Sequence, residues 1–541
     1  MGNVNDKAQT YREKGYWTDR LLTDYFERTV ASTPAKIAVK DERFGAVTYG
    51  EMAPMVMRLA AGLQAKGIGR GDKFVVALPN WHQVPAFVLA LNYIGAIAVH
   101  MPFTGGGHEF SGVLKVTDAK GIAVAEEIRG ANYVSLIDGI AGDFETLDVL
   151  ITVGCEQEHA GWVTFDRLLA EAPGDQPIQV EPLTPSELSL LLFTSGSSGD
   201  PKGVMHSSNT ISALNTTVAP IYDLGSDDVI FMAAPLGFSA GYAHGLRLAL
   251  YLGATLILQE SWNADRALEL MAHEKATFTL TTPTLLRDLL ASEQFAKYSA
   301  SLVLRLMFCG GTYVTSDLLR EVRKKLPRTL TSVIWGMTEG IGTACRPGAA
   351  EERVTGTDGE SFLGTELKVI AEDGSDVAAG EVGDLVMRGP QLFMGYYKRP
   401  ELNEEVFLPG GWFRTGDMAM IDGEGFLKIT GRRKELIIRG GANISPAEIE
   451  ETLYGDERIR QLAVVGIPDE RLDERVCACV VPNDKGSNLT LADIVEISER
   501  HGLAKNKWPQ RLEIVDSLPM TPSGKLQRMV LREQIMERLG D

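Results

Sequence analysis

From Val47 to Asp288, short apolar runs alternate with longer amphipathic ones. Phe74-Val75-Val76-Ala77-Leu78 reads as a strand, and the apolar stretch from Val84 to Val99 after it reads as a buried helix. Thr255-Leu256-Ile257-Leu258 reads as a second strand, followed by a helix around Ala264–His273. Strand then helix, repeated, is the pattern of parallel sheets covered by helices. Between about Gly359 and Ile429 the rhythm shifts to short β-type runs, with Asp373-Gly374 and Asp422-Gly423 as hairpin turns. A small barrel-like subdomain is predicted there, over about residues 350–430.

A second shift comes near Gly431. Ser445-Pro446-Ala447-Glu448 reads as a capping box with Pro at the first helical position, opening a helix through Ile449 and Leu453. Strands are predicted at Gln461–Ile467, Val476–Val481 and Arg511–Val515, and a helix from about Leu491 to His501 that stops at Gly502. The prediction is an α/β protein. A large N-terminal domain (1–433) holds parallel-sheet α/β subdomains plus the barrel-like one, and a small α+β C-terminal domain (434–541) follows through the basic segment Gly431-Arg432-Arg433-Lys434.

Composition narrows the class. A chain of 541 residues with 44% hydrophobic and 23% charged residues is globular and long enough for two to four domains. A net charge of −19 argues against general nucleic-acid binding, yet leaves room for a small anion held by local N–H groups and a lysine. The Val84–Val99 stretch contains Asn92 and falls short of the ~20 residues that span a bilayer, so no integral membrane segment is expected. The N-terminus lacks the basic and apolar regions of a signal peptide, and Asp6 stands where myristoylation wants Ser or Thr. The five cysteines are scattered, and Cys477-Ala478-Cys479 sits in a strand-like run without metal-ligand spacing. A cytoplasmic protein is expected.

The strongest chemical signal is Leu191-Leu192-Phe193-Thr194-Ser195-Gly196-Ser197-Ser198-Gly199-Asp200-Pro201-Lys202-Gly203. An apolar strand runs into a loop of glycines and small hydroxyl residues with one lysine. Glycines let consecutive N–H groups converge on an anion, and the hydroxyls and Lys202 add donors and charge, which suits a polyphosphate. The Walker A spacing is absent. A plain Gly/Ser connector is the duller reading.

This loop resembles the phosphate-binding signature of the adenylate-forming superfamily, which includes acyl- and aryl-CoA synthetases. Four more motifs follow in that family's order. Trp335-Gly336-Met337-Thr338-Glu339 resembles its aromatic-Gly-x-Thr-Glu motif. Gly411-Trp412-Phe413-Arg414-Thr415-Gly416-Asp417 resembles the motif bearing a ribose-binding Asp. Gly431-Arg432-Arg433-Lys434-Glu435 resembles its hinge, and Pro519-Met520-Thr521-Pro522-Ser523-Gly524-Lys525 the segment bearing its catalytic Lys. Singly, each residue has a bland alternative as a solvated, core or turn residue. The ordered set reverses those odds.

The resemblance implies roles. Thr194, Ser195, Gly196, Ser197, Ser198, Gly199 and Lys202 would hold the β- and γ-phosphates of ATP. Gly310, Gly311 and Thr312 would line the nucleotide and acyl sites beside Gly336 and Met337, and Trp335 would stack on adenine. Glu339, with Thr338 beside it, would bind Mg²⁺. Asp417 would accept hydrogen bonds from the ribose hydroxyls, assisted by Arg432. Lys525 would bridge the substrate carboxylate and the α-phosphate, offsetting the repulsion of two anions. The mobile C-terminal domain would then rotate about Lys434 and present Gly440 and Gly441 to the pantetheine arm of coenzyme A.

The acyl pocket is expected around Phe238, Ser239, Gly310 and Gly336. Phe238 would be an aromatic gate, and Gly336 would leave room for an acid larger than acetate. Tyr11-Arg12-Glu13-Lys14-Gly15-Tyr16-Trp17 and Leu78-Pro79-Asn80-Trp81 look like aryl-acid and cyclohexanecarboxylate-type ligases. Ser239 replaces the Asn that hydroxybenzoate enzymes carry there. The expected substrate is a small, apolar alicyclic, aromatic or medium-chain carboxylic acid. The acceptor is coenzyme A or, alternatively, a carrier protein supplied in trans. Oligomeric state is left open, a homodimer being one option. A rival from another class is a serine hydrolase, since Gly237-Phe238-Ser239-Ala240-Gly241 fits G-x-S-x-G with His244, His273 and His501 downstream, although Pro235 interrupts the incoming strand.

Overall fold

The computed structural model describes residues 7–155, 157–173, 178, 182–194, 201–454, 456–484, 489–520 and 526–540. Two sheets make up most of the N-terminal domain. The seven-stranded sheet runs Lys202–Ser207, Leu188–Thr194, Ile97–His100, Lys73–Ala77, Gly121–Ala125, Val149–Val153, Trp162–Thr164; all its pairings are parallel except the first. The nine-stranded sheet is parallel through its centre, from Leu330–Met337 by way of Leu306–Gly310, Phe278–Thr281, Val229–Met232 and Thr255–Leu258 to Ile37–Asp41, with antiparallel strands at both edges. A single core joins the two, and the helix Gln83–Tyr93 is buried almost all round within it. That burial is why its sequence lacks a polar face.

The stretch Val84 to Val99, read above as one helix, is a helix and a strand. Gly95 adopts φ +70°, and Ile97–His100 continues as the strand between Lys73–Ala77 and Leu188–Thr194. Both halves are buried on every side, so hydrophobicity alone could not mark the break; Gly95 does, through the left-handed conformation that ends the helix.

The strands Glu366–Ile370, Gly383–Arg388, Trp412–Ile421, Phe407–Leu408 and Leu427–Arg432 form the third sheet, entirely antiparallel. The Asp422-Gly423 hairpin is present, with Asp422 N–H bonded to Phe426 O. The strand path is open rather than closed on itself, with Phe393 stacked on Phe407 and edge-on to Phe413 in its core.

The C-terminal sheet holds Ile437–Arg439, Ala442–Ile444, Ile459–Asp469, Asp473–Pro482 and Arg511–Ile514 with the helix Leu491–Arg500, close to the sequence expectation. One local reading fails. Ser445 precedes the helix Pro446–Leu453, yet its side chain makes no cap bond; its hydroxyl donates to Thr430 O, and Glu448 pairs with Lys507. A contact with the strand Leu427–Arg432 of the third sheet displaced the capping box. Among the described residues no helix is long and apolar enough to cross a membrane.

Candidate active site

Several of the candidate residues lie at or just beyond the carboxyl ends of parallel strands, where open α/β sheets place ligands. Leu306–Gly310 delivers Gly311 and Thr312, Val229–Met232 leads to Phe238 and Ser239, and Leu330–Met337 ends in the turn bearing Thr338 and Glu339. In the other sheet, Leu188–Thr194 pairs antiparallel with Lys202–Ser207, so Thr194 and Lys202 face each other across the mouth of a hairpin. Ser195, Gly196, Ser197, Ser198 and Gly199, and likewise Lys525, lie outside the described residues.

The Thr338–Glu339 turn is braced from three directions. Tyr396 donates its hydroxyl to Glu339 Oε1 at 2.6 Å, and Phe393 N–H bonds Glu339 O at 2.8 Å. His206 Nε2 meets Thr338 O at 2.8 Å, and Thr338 Oγ1 meets Ser239 Oγ at 3.1 Å. The segment around Gly395–Tyr397 bonds along the Lys202–Ser207 strand, which places the Lys202 ammonium 5.7 Å from the Tyr396 ring centre. Lys202 and Glu339 are thereby held against the same aromatic side chain, although 137 residues apart in sequence. Burial, reinforced by the Glu339 carboxylate, pushes the Tyr396 phenol up, so it remains a donor. Burial lowers His206 to about 4 and keeps it neutral near pH 7.

Tyr396 and His206 were missed by sequence reasoning. Their partners are 57 and 132 residues away, and neither lies in one of the motifs read there as carrying chemistry.

Asp417 is only 4% exposed. Its Oδ1 accepts from Arg432 Nε and its Oδ2 from Trp335 Nε1, each at 2.9 Å. The structure thus joins three residues from three motifs. It also changes the picture of Trp335, expected to offer a stacking face. Trp335 is 7% exposed, packed in the core of the third sheet and against Gly342, where an added Cβ would lie 2.4 Å from its Cζ3. The indole here orients Asp417.

Two glycines have structural reasons of their own. A Cβ on Gly336 would meet Ile341 Cα at 2.7 Å, and one on Gly310 would meet Ile334 O at 2.4 Å. The space beside Gly336, read above as room for the acyl group, is taken by the neighbouring strand. Gly440 (φ +57°) and Gly441 (φ +81°) form the two-residue turn between Arg439 and Ala442, a geometry that needs positive φ twice.

The loop before Phe238 is fixed by Asn80 of the Leu78-Pro79-Asn80-Trp81 segment, which accepts from Leu236 N–H at 2.8 Å and donates to Ala234 O at 3.1 Å. Ser239 begins a helical run that passes through a π-turn at Gly241–Arg247. The nucleophile-elbow reading fails on this geometry. The Ser239 hydroxyl meets Thr338, no histidine bonds it among the described residues, and His244 is buried with its basicity lowered to about 3.

At the domain junction, Arg433 grips Asp384 through two bonds of 2.7 and 2.9 Å, and Glu435 accepts from Arg528 at 3.0 Å. Arg528 is in turn bound to Glu450 and Val464 O within the C-terminal domain. Lys434 stands between one residue anchored to each domain. A cleft of about 560 Å³ opens between the domains, lined by Tyr313, Lys428, Thr430, Asn443, Ser445 and Glu451 among others. Tyr313 donates to Glu451 at 2.8 Å across it.

Residues 26–397 match the AMP-binding enzyme family, and residues 448–525 match the AMP-binding enzyme C-terminal domain. The chain is 34% identical to a medium-chain fatty-acid–CoA ligase from Escherichia coli, over 98% of this chain and 94% of that protein. It is 31% identical to a salicyl-AMP ligase / salicyl-S-ArCP synthetase from Mycobacterium tuberculosis, over 98% of this chain and 93% of that one. Its fold matches ATP-bound MatB from Rhodopseudomonas palustris with a TM-score of 0.84 at 26% identity, covering 96% of this chain and 100% of that chain. Fold and relatives together define an adenylate-forming acid–thiol ligase. The chain belongs to the AMP-binding enzyme family.

Proposed function

We propose that this enzyme joins an apolar alicyclic, aromatic or medium-chain carboxylic acid to coenzyme A through an acyl-adenylate. The observation that carries the reading is the convergence of Lys202, Thr338–Glu339 and the Trp335–Asp417–Arg432 set from distant motifs. A phosphate-side cation, a carboxylate and a ribose-type acceptor are what MgATP requires.

In the first half-reaction a carboxylate oxygen of the acid attacks the α-phosphorus, and pyrophosphate leaves. Thr194 and Lys202 hold the phosphates with the loop between them, and Asp417, fixed by Arg432 and Trp335, orients the ribose. Lys525 neutralises the meeting anions. Glu339 fits a hard cation: Tyr396 takes Oε1, while Oε2 carries no hydrogen bond among the described residues. Mg²⁺ there would offset charge on the phosphates. In the second half-reaction the thiol sulfur attacks the carbonyl carbon of the mixed anhydride and AMP leaves. The cleft between Tyr313 and Asn443 supports entry of the thiol arm beside the Gly440–Gly441 turn, and the two anchored residues flanking Lys434 support rotation at that position.

Tyr396→Phe is expected to weaken the Mg²⁺ dependence of adenylation about tenfold, because a hydrogen bond to a charged group contributes about 1.5–3 kcal/mol. Titrating the initial rate against Mg²⁺ checks this; an unchanged half-saturation would remove Tyr396 from the site.

The acid is inferred from Phe238 and from Ser239, whose hydroxyl is engaged by Thr338 and offers no amide to a ring hydroxyl. Likeness to a medium-chain fatty-acid–CoA ligase supports this choice. Likeness to a salicyl-S-ArCP synthetase favours a second reading, transfer to a carrier protein in trans. Thioester yield with coenzyme A, compared with a panel of phosphopantetheinylated carriers, separates them. Apolar acids should give the CoA thioester, and product on a carrier alone would overturn the first reading.

A further inference from the structure

On the same carboxyl edge of the seven-stranded sheet as Thr194, but three and four strands further along it, three side chains of different kinds meet. The parallel neighbours Gly121–Ala125 and Val149–Val153, in register at Ala125 and Val153, carry Glu126 and Cys155 just past their carboxyl ends. His159 arrives from the turn leading to Trp162–Thr164, four residues after the cysteine. His159 Nε2 lies 2.9 Å from Glu126 Oε1 and 3.9 Å from Cys155 Sγ, and ligand atoms of all three lie within 4.8 Å of one another.

The shared atom decides what the cluster is for. In a thiol–imidazole–carboxylate relay the ring uses opposite nitrogens, one toward the thiol and one toward the acid. Here Glu126 and Cys155 both face the same nitrogen, Nε2, and the Cys155 S–H donates to Gln157 O at 3.3 Å, so the geometry is not that of a relay. One cation at their meeting point serves all three.

We propose that Glu126, Cys155 and His159 form a binding site for a divalent transition metal, Zn²⁺ by preference. A thiolate, an imidazole and a carboxylate are zinc donors, whereas Mg²⁺ and Ca²⁺ take oxygen ligands. Bond lengths of about 2.0–2.3 Å in tetrahedral geometry put donor atoms roughly 3.3–3.6 Å apart. The two separations from His159, 2.9 and 3.9 Å, lie on either side of that value. Gln157 N–H bonds Cys155 Sγ at 3.2 Å, and the Cys155 S–H bond to Gln157 O is a contact that a bound metal would replace. The Cys155 residue is 7% exposed, while the Glu126 and His159 side chains are 26% and 23% exposed, which leaves a fourth position for water. Binding replaces the thiol proton: Zn²⁺ and the Cys155 S–H give a Zn–S bond, and one H⁺ passes to the buffer. The bound ion would tie the turn after Val153 to the neighbouring strand.

The test uses the full chain after chelation and dialysis. Titration with Zn²⁺ against a chromophoric chelator should give about one ion per chain. Co²⁺ should give tetrahedral absorption with a thiolate-to-cobalt charge-transfer band. The other four cysteines are fully buried, so that band reports Cys155. Cys155→Ser should abolish the band, and His159→Gln should weaken binding on the order of a hundredfold, each with parental acid-dependent ATP–pyrophosphate exchange. Absence of stoichiometric Zn²⁺ binding by the folded parent would overturn the proposal. So would a thiolate band that survives Cys155→Ser.

Discussion

Replacing Lys525 with alanine is expected to slow acyl-adenylate formation about 10²–10³-fold, while thioester formation from supplied acyl-adenylate stays within about twofold of the parent. The asymmetry follows from charge. In the first half-reaction a carboxylate must approach a triphosphate, and a fixed ammonium between them is most effective where negative charge builds in the transition state. In the second, the nucleophile is a thiol and the electrophile a mixed anhydride, so no second anion must be brought in. Arg433 belongs to one domain through Asp384 and Glu435 to the other through Arg528, so rotation at Lys434 would exchange Lys525 for the Gly440–Gly441 turn. Rapid-quench measurement of each half-reaction checks the split, and equal loss of both would contradict it.

The second large effect concerns stability. His100, His206 and His244 are fully buried, and burial lowers them to about 3, 4 and 3. In the unfolded chain each titrates near 6.5. Below that value the unfolded state binds protons that the folded state refuses, so stability is full above about pH 6.5 and falls as pH drops toward 3–4. Three such groups together cost about 5 kcal/mol between roughly pH 7.5 and 5. For a domain of this size that is a fall in Tm of about 5 °C. Asp358, buried and pushed up, opposes the trend with one group against three. Thermal unfolding at the two pH values checks this. A Tm that stays level or rises on acidification would mean that these histidines are protonated in the folded enzyme.

The architecture was legible where local pattern and tertiary burial agree. In the C-terminal domain the central strands Ile459–Asp469 and Asp473–Pro482 are buried on both faces, yet each is a short apolar run of strand length bounded by polar residues, and Gly502 ends the helix before it. The Val84–Val99 run misled because both its helix and its strand are buried all round, which erases periodicity. Ser445 misled because its hydroxyl found Thr430, a partner outside the helix.

The site was legible as motifs but not as contacts. Thr338, Glu339, Asp417 and Arg432 announce themselves in short segments. That Trp335 and Arg432 both hold Asp417, or that Tyr396 joins Lys202 to Glu339, depends on chain separations of tens to more than a hundred residues. Gly336 shows the opposite hazard. A missing side chain suggested substrate room, and the neighbouring strand's Ile341 had already filled it.

This chain activates a carboxylic acid by making its adenylate. Incorporation of labelled pyrophosphate into ATP, measured across acids of graded size and ring character, addresses it most directly. Exchange that depends on an apolar acid and on Mg²⁺, with AMP released once coenzyme A is added, is the expected result. A folded enzyme saturated with MgATP that exchanges no pyrophosphate with any acid of the panel would contradict it.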